Sequence, residues 1–85
     1  MIEEVNTPSW DKLLEGKWAL VDFWAPWCQP CKVQEPILEK LAQQLPQLTI
    51  LKLNIDDNRY LSQQLSVRNI PSLILYYNRL SDRGS

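Results

Sequence analysis

Two cysteines separated by two residues have the clearest chemistry in this sequence. They are the only cysteines among the 85 residues and lie in the run Trp27-Cys28-Gln29-Pro30-Cys31. Thiols at this spacing exchange between dithiol and disulfide with little backbone movement, and Pro30 stiffens the turn that joins them. The motif therefore indicates a thiol–disulfide oxidoreductase.

A metal site and a pair of inert thiols are the alternatives. Zinc and iron–sulfur sites normally take four soft ligands, whereas this sequence has two cysteines and no histidine. A metal would therefore have to bridge two subunits. In a reducing cytosol a lone cysteine pair is more typical of catalysis or metal binding than of a structural disulfide, so redox catalysis is the favoured interpretation.

The elements around the motif indicate how it would work. Residues 18–25 predict a buried central strand, and residues 29–45 predict a helix. Cys28 would precede the first helical turn, where unpaired N–H groups and the helix dipole stabilise a thiolate. We expect Cys28 to be the exposed nucleophile, and Cys31 to be more buried and to resolve the mixed disulfide. The helical residues expected to face the core are Val33, Ile37, Leu38, Leu41, Ala42 and Leu45.

Strands and helices alternate along the rest of the chain. Further strands and helices are predicted at residues 2–5, 7–16, 48–55, 56–65 and 72–77. This alternation predicts one α/β domain over residues 1–78 with helices on both faces of the sheet. Residues 79–85 are polar and are expected to form a loose tail.

The composition argues against two classes of partner. The formal net charge is −1 without a basic cluster, which disfavours nucleic acid, and no apolar stretch is as long as a membrane span. The N-terminus has neither the basic nor the apolar region of a signal peptide, so a cytoplasmic location is expected.

Three segments, in order, resemble the thioredoxin family. They are residues 21–32 (VDFWAPWCQPCK), 51–56 (LKLNID) and 67–73 (VRNIPSL). The resemblance covers residues 2–78 and implies a thioredoxin-like fold with protein-disulfide reductase activity. It also implies disulfide-containing proteins as substrates and a reductase or another dithiol as the electron source, with no bound cofactor.

The resemblance assigns roles to two charged residues in buried strands. Asp22 would be a buried acid with a raised pKa that helps to deprotonate Cys31; the alternative is a strand-end carboxylate that reaches water. Lys52 would place its amine near Asp22 and tune that acid; the alternative is a lysine that extends to the surface.

The resemblance also indicates where a substrate would bind. Trp27 would form an apolar lip beside Cys28, or it would serve only in packing. The Ile70–Pro71 bond would be cis and face the cysteines, leaving the Ile70 backbone free to pair with an extended substrate. The alternative is that Pro71 only starts a strand.

Two features depart from the family pattern. Gln29 stands where the commonest family motif has glycine, and residues between the cysteines tune the stability of the dithiol relative to the disulfide. After the strand that follows Pro71, the family adds another strand and a C-terminal helix. Here Asn78-Arg79 stands where the family usually turns through Asn-Gly, and nothing after it predicts a strand.

We therefore expect a trimmed fold without the final strand and the C-terminal helix. The strand at Ser72–Tyr77 would then be an open sheet edge. Three outcomes follow: a trimmed domain that stands alone at reduced stability, a homodimer paired through this edge, or a fragment that folds poorly; the folded, trimmed domain is favoured. An alternative function follows from the same expectation, in which the chain is a thioredoxin-like interaction module with weak or no catalytic turnover.

Overall fold

Five strands form one mixed sheet in the computed structural model, which describes residues 2–78 and 80–81. The strands are β1 (Ile2–Glu4), β2 (Trp18–Trp24), β3 (Thr49–Asn54), β4 (Ser72–Tyr77) and β5 (Leu80–Ser81). The helices are a 3₁₀ turn at Thr7–Ser9, α1 (Trp10–Leu14), α2 (Gln29–Gln44) and α3 (Arg59–Gln64). The spatial order is β1-β3-β2-β4-β5; β1 and β2 run parallel to β3, and β4 runs antiparallel to β2. The predicted α/β fold class with three helices is confirmed, and the sheet contains the four predicted strands and one short additional strand, β5.

Strand β2 lies at the centre of the sheet, between two layers of helices. Its alternate residues Ala19, Val21 and Phe23 are fully buried in a core to which α1 and α3 contribute apolar side chains. Side chains alternate between the two faces of a strand, so Asp22 and Trp24 point the other way, toward α2. The predicted placement of helices on both faces is therefore confirmed.

The buried face of α2 differs from the predicted one. Its buried residues are Cys31, Leu38 and Ala42, whereas Val33 and Ile37 are 68% and 64% exposed. Val33 and Ile37 lie about 200° and 240° around the helix from Cys31, so a helix that turns Cys31 inward turns them outward. The prediction that Val33 and Ile37 face the core was therefore wrong, because the cysteine fixes which side of the helix meets the sheet. It was also wrong for Leu45, which is exposed at the C-cap of α2.

Strand β5 is an addition that the sequence did not predict. Tyr76 pairs with Ser81 and Tyr77 with Leu80 in an antiparallel ladder. Asn78 adopts a left-handed conformation (φ 51°), which asparagine tolerates, and its side-chain oxygen accepts a hydrogen bond from the Gly16 N–H at 2.8 Å. A two-residue strand shows no periodicity of its own, so the expectation that no strand follows Asn78 was wrong. The polar tail was predicted at residues 79–85. Positions 79 and 82–85 of that tail lie outside the described residues.

Asn58 connects the loop after β1 to the loop after β3. Its Oδ1 accepts hydrogen bonds from the backbone N–H and the hydroxyl of Thr7, at 2.7 and 2.8 Å. Its Nδ2 donates to Asn6 Oδ1 at 3.0 Å and to the Asn54 carbonyl at 2.9 Å. Asn58 and its hydrogen bond to the Asn54 carbonyl are buried, so that carbonyl would lose a partner if the side chain were removed, and the link to Asn6 and Thr7 would be lost.

Replacement of Asn58 by alanine is expected to lower the free energy of unfolding by about 1–3 kcal/mol, because buried polar groups lose their partners. Chemical denaturation monitored by circular dichroism measures this loss. The exposed Gln43→Ala change on α2 is the control and should shift stability by less than about 0.5 kcal/mol. Equal stabilities for the two variants would contradict the assigned role of Asn58.

Candidate active site

Helix α2 begins at the cysteine motif. Cys28 is its N-cap residue and has an extended backbone (φ −89°, ψ 103°), and Gln29 and Pro30 are its first two helical residues. Cys28 and Cys31 form a disulfide with 5.3 Å between their Cα atoms. The Cys31 N–H donates to Cys28 Sγ at 3.2 Å. An amide of the first helical turn, which has no partner within the helix, therefore points at the sulfur expected to become the thiolate.

The two cysteines are equally covered by neighbouring side chains. Cys28 is 4% exposed and Cys31 is 5% exposed. They form a small cluster with Ala25, against which Ile55 and Ile70 pack. The expectation that Cys28 is exposed and Cys31 more buried is wrong for this disulfide form. The bond holds both sulfurs in one place, so the same apolar neighbours cover both.

Asp22 is a buried carboxyl on the face of β2 that meets α2. It is 1% exposed, and its Oδ1 accepts a hydrogen bond from Gln34 Nε2 at 3.1 Å. Burial raises the pKa of Asp22 to about 6, and the negative charge of Glu35 acts in the same direction. The positive charge of Lys52 and the Gln34 hydrogen bond oppose this rise. The predicted buried acid with a raised pKa is present at this position.

Lys52 lies opposite Asp22 on the neighbouring strand β3. Its amine forms an ion pair with Glu35 and lies 4.4 Å from the centroid of the Trp24 ring. The resemblance implied a lysine near Asp22 and did not predict Glu35 as its partner. Glu35 follows Cys31 by four residues and Gln34 follows it by three, so the helical register placed both on the side of Cys31. That register was the signal from which these two residues could have been found.

A cavity of about 30 Å³ joins these groups. Its lining residues are Asp22, Trp24, Cys31, Lys32, Glu35 and Lys52. The volume exceeds what a single water molecule needs, and the walls carry the polar groups that would bind it. The buried acid and the second cysteine therefore line the same small cavity.

Trp27 lies at the surface beside Cys28. Its side chain is 65% exposed, and its Nε1 donates to Asp56 Oδ2 at 2.9 Å. An open groove runs from Trp27 along α3 and is lined by Trp27, Ile55, Asp56, Arg59, Ser62, Gln63 and Val67. An exposed indole held by a carboxylate has a defined position, as an apolar lip requires.

The Ile70–Pro71 bond is cis, as the resemblance implied. Ile70 packs against the cysteine cluster, and Pro71 directly precedes β4. Gln29 is exposed, and its side chain makes no hydrogen bond to any of residues 2–78 or 80–81.

Two further findings concern only the part of the chain that the structure describes. It contains no group of three or more histidine, cysteine, aspartate or glutamate side chains placed to hold a metal ion. It also contains no helix with the length and apolar character needed to cross a membrane.

Comparison with known proteins agrees with the geometry. A family model described as thioredoxin matches residues 1–83. The chain is 42% identical to a thioredoxin from Chlamydia pneumoniae over 76 residues, which are 89% of this chain and 74% of that protein. It is 48% identical to a Haemophilus influenzae thioredoxin over 60 residues, covering 69% of this chain and 56% of that protein. It is 38% identical over 80 residues to the chloroplastic M-type thioredoxin of Pisum sativum, covering 91% and 46%.

An α/β sheet that presents a disulfide at a helix N-terminus, beside a buried carboxyl, defines a dithiol–disulfide protein. The chain belongs to the thioredoxin family. It is a thiol–disulfide oxidoreductase that acts on protein disulfides. The alternative of an interaction module with incidental thiols is not better supported by any of these observations.

The raised pKa of Asp22 makes stability depend on pH. Between the ordinary value of 3.8 and about 6, the folded protein binds more protons at Asp22 than the unfolded chain does. The free energy of unfolding therefore falls as the pH rises through this window, by about 3 kcal/mol in total. Above about pH 7, where Asp22 is ionised in both the folded and the unfolded protein, the destabilisation is nearly complete.

Replacement of Asp22 by asparagine is expected to remove most of this pH dependence and to make the variant more stable than the wild type above pH 7. Denaturant unfolding of the disulfide forms at pH 4 and pH 8 gives the difference. Parallel stability curves for the two proteins would show that burial does not disfavour the Asp22 charge.

Proposed function

We propose that the protein is a dithiol donor that reduces protein disulfides, with Cys28 as nucleophile, Cys31 as resolving thiol and Asp22 as proton acceptor. The observation that carries this proposal is that the buried Asp22 carboxyl and Cys31 line the same cavity. This cavity lies near the N-terminus of α2, where Cys28 is the N-cap residue. A carboxyl with a pKa near the working pH beside a thiol is the arrangement that proton transfer needs.

The first step is attack by the Cys28 thiolate on one sulfur of a substrate disulfide. A mixed disulfide forms, and the other substrate sulfur leaves as a thiolate. The α2 dipole and the Cys31 N–H favour negative charge on Cys28 Sγ. These groups are already in place in the disulfide form, so little rearrangement is needed when the pair is reduced.

The second step is attack by Cys31 on the sulfur of Cys28. Asp22 is mostly ionised at pH 7 and accepts the Cys31 proton, either directly or through a water in the shared cavity. The Cys28–Cys31 disulfide forms, and the second substrate sulfur leaves as a thiolate. The substrate gains two electrons, and the protein ends in the form that the structure shows.

Three further residues support this chemistry. Lys52 lowers the pKa of Asp22 through its positive charge and keeps the acid available as a base near neutral pH. Pro30 fixes the first turn of α2 between the two cysteines. Gln29, exposed at the same turn, influences the relative stability of the dithiol and the disulfide.

An extended segment of the substrate would bind across the mouth of the site. Ile70 packs against the cysteines, and its backbone would pair with the substrate strand, next to Pro71. Trp27, which precedes Cys28 in the chain and is held by Asp56, would form an apolar lip of the site. Backbone pairing of this kind tolerates many substrate sequences, as a general reductant of protein disulfides requires.

Partners and location follow from the same chemistry. A reductase or another dithiol returns the disulfide to the dithiol, and no bound cofactor is needed because the electrons reside on the two sulfurs. A cytoplasmic location suits a cysteine pair that must be re-reduced. A homodimer would pair through the Ser72–Tyr77 edge; β5 bonds to Tyr76 and Tyr77, so the pairing would use the earlier residues of β4.

The Cys28→Ser variant is expected to lose reduction of a test protein disulfide entirely, because no thiolate remains at the helix N-terminus. The Cys31→Ser variant should instead accumulate a mixed disulfide through Cys28, which mass spectrometry of the intact complex detects. Turnover is measured as reduction of insulin by catalytic protein with excess dithiothreitol.

Two outcomes contradict these roles. Equal turnover by the wild type and the Cys28→Ser variant would remove Cys28 as the nucleophile. A wild-type rate no higher than that of dithiothreitol alone would favour the interaction module over the reductase.

Replacement of Asp56 by alanine is expected to release the Trp27 indole and to raise KM for a protein disulfide several-fold, with little change in kcat. The matched control is Asp57→Ala, which removes the same charge from an exposed neighbour with no hydrogen bond to the described residues. Equal kinetics for both variants would show that Trp27 needs no anchoring for substrate binding.

A further inference from the structure

Two consecutive residues of α2 contact a pair of charged residues in the sheet. Gln34 binds Asp22 on β2, and Glu35 binds Lys52 on β3. Asp22 and Lys52 are themselves neighbours across the β2–β3 ladder. The helix therefore faces both charged residues of the cavity with one amide and one carboxylate.

Gln34 favours the charged form of Asp22. Its amide donates to Asp22 Oδ1 at 3.1 Å, and both side chains are at least partly shielded from water. A hydrogen bond donated to a carboxylate stabilises the ionised form and fixes the plane of the carboxyl group.

Glu35 opposes the charged form of Asp22 in two ways. Its carboxylate is a second negative charge on the same cavity wall and disfavours ionisation directly. It also forms the ion pair of Lys52; among the described residues, no cation lies within ion-pair distance of Asp22. The Lys52 amine therefore lies over the Trp24 ring and pairs with Glu35. The negative charge of Glu35 offsets part of the stabilisation that Lys52 gives to the Asp22 carboxylate.

We propose that Gln34 and Glu35 are positioning residues that set the charge of Asp22 from opposite sides, Gln34 by favouring the carboxylate and Glu35 by opposing it. This inference deepens the role of Asp22 in the proposed function and rests on that function. The other charged groups around Asp22 are Glu4 on β1, which disfavours its ionisation, Lys52 on β3, and Lys32 on α2, which lines the same cavity.

The test is a titration of the Asp22 carboxyl carbon by NMR in the disulfide form, where neither cysteine titrates. Glu35→Gln is expected to lower the midpoint by about 0.5–1 pH unit, because a negative charge is removed and Lys52 is released. Gln34→Leu is expected to raise it by about 0.5 pH unit, because a donor to the carboxylate is lost. Gln34→Met, of closer shape, is the second variant if the leucine variant is unstable.

The matched control is Glu39→Gln, which removes the same charge from the next turn of α2, where the exposed Glu39 contacts no charged group among the described residues. Its midpoint should stay within about 0.2 pH unit of the wild type. Midpoints that move in the same direction in the Gln34 and Glu35 variants would indicate general loosening of α2 and overturn the proposal. A Glu35→Gln midpoint equal to that of the control would also overturn it.

A kinetic measurement separates this inference from the proposed function. If Asp22 accepts the Cys31 proton, the acidic limb of the pH–rate profile for mixed-disulfide resolution moves with the NMR midpoint in each variant. NMR midpoints that move in opposite directions without any change in the rate profile support the assignment of Gln34 and Glu35 and contradict proton transfer by Asp22.

Discussion

The carboxyl of Asp22 is buried on the central strand in the same small cavity as Cys31, and much of the site depends on this constraint. A carboxylate without water or a bonded cation is unfavourable, so the protein either keeps it protonated or surrounds it with compensating groups. At Asp22 both effects are present: its pKa is raised, and groups that stabilise the carboxylate surround it. Burial raises the pKa of Asp22 to about 6, while Gln34 and Lys52 limit the rise. The group is consequently able to change its charge near neutral pH, where a thiol must lose its proton.

Strand β2 and helix α2 together create that constraint. The alternation of β2 turns its apolar residues toward α1 and α3 and leaves Asp22 on the face that α2 covers. The first turns of α2 then supply Cys28 at the N-cap, Cys31 one turn later, and Gln34 and Glu35 after that. One helix therefore carries both cysteines and the two residues that contact the Asp22–Lys52 pair.

Most of the fold and the centre of the site could be predicted from the sequence. Strands β2, β3 and β4 and helix α2 were found because largely apolar runs and helical spacing are local signals, and the resemblance supplied Asp22, Lys52 and the Ile70–Pro71 bond. The errors came from information that only the assembled structure contains. The outward orientation of Val33 and Ile37 depends on how α2 is rotated against the sheet, and the equal burial of the cysteines depends on their being bonded. β5 is too short to leave a pattern, and Glu35 was overlooked because its partner lies on another element.

The redox potential of the Cys28–Cys31 pair tests the central claim, that this protein donates electrons to protein disulfides, most directly. Equilibration with glutathione buffers at pH 7, followed by quantification of free thiols, gives the value. Both cysteines are covered by apolar neighbours, and covered disulfides resist reduction by glutathione more than exposed ones do. A donor of electrons to protein disulfides is expected to have a potential more negative than the cytosolic glutathione pool, which lies at about −220 to −260 mV by extraction. A potential well above that pool would contradict a donor role and indicate an oxidant or an isomerase.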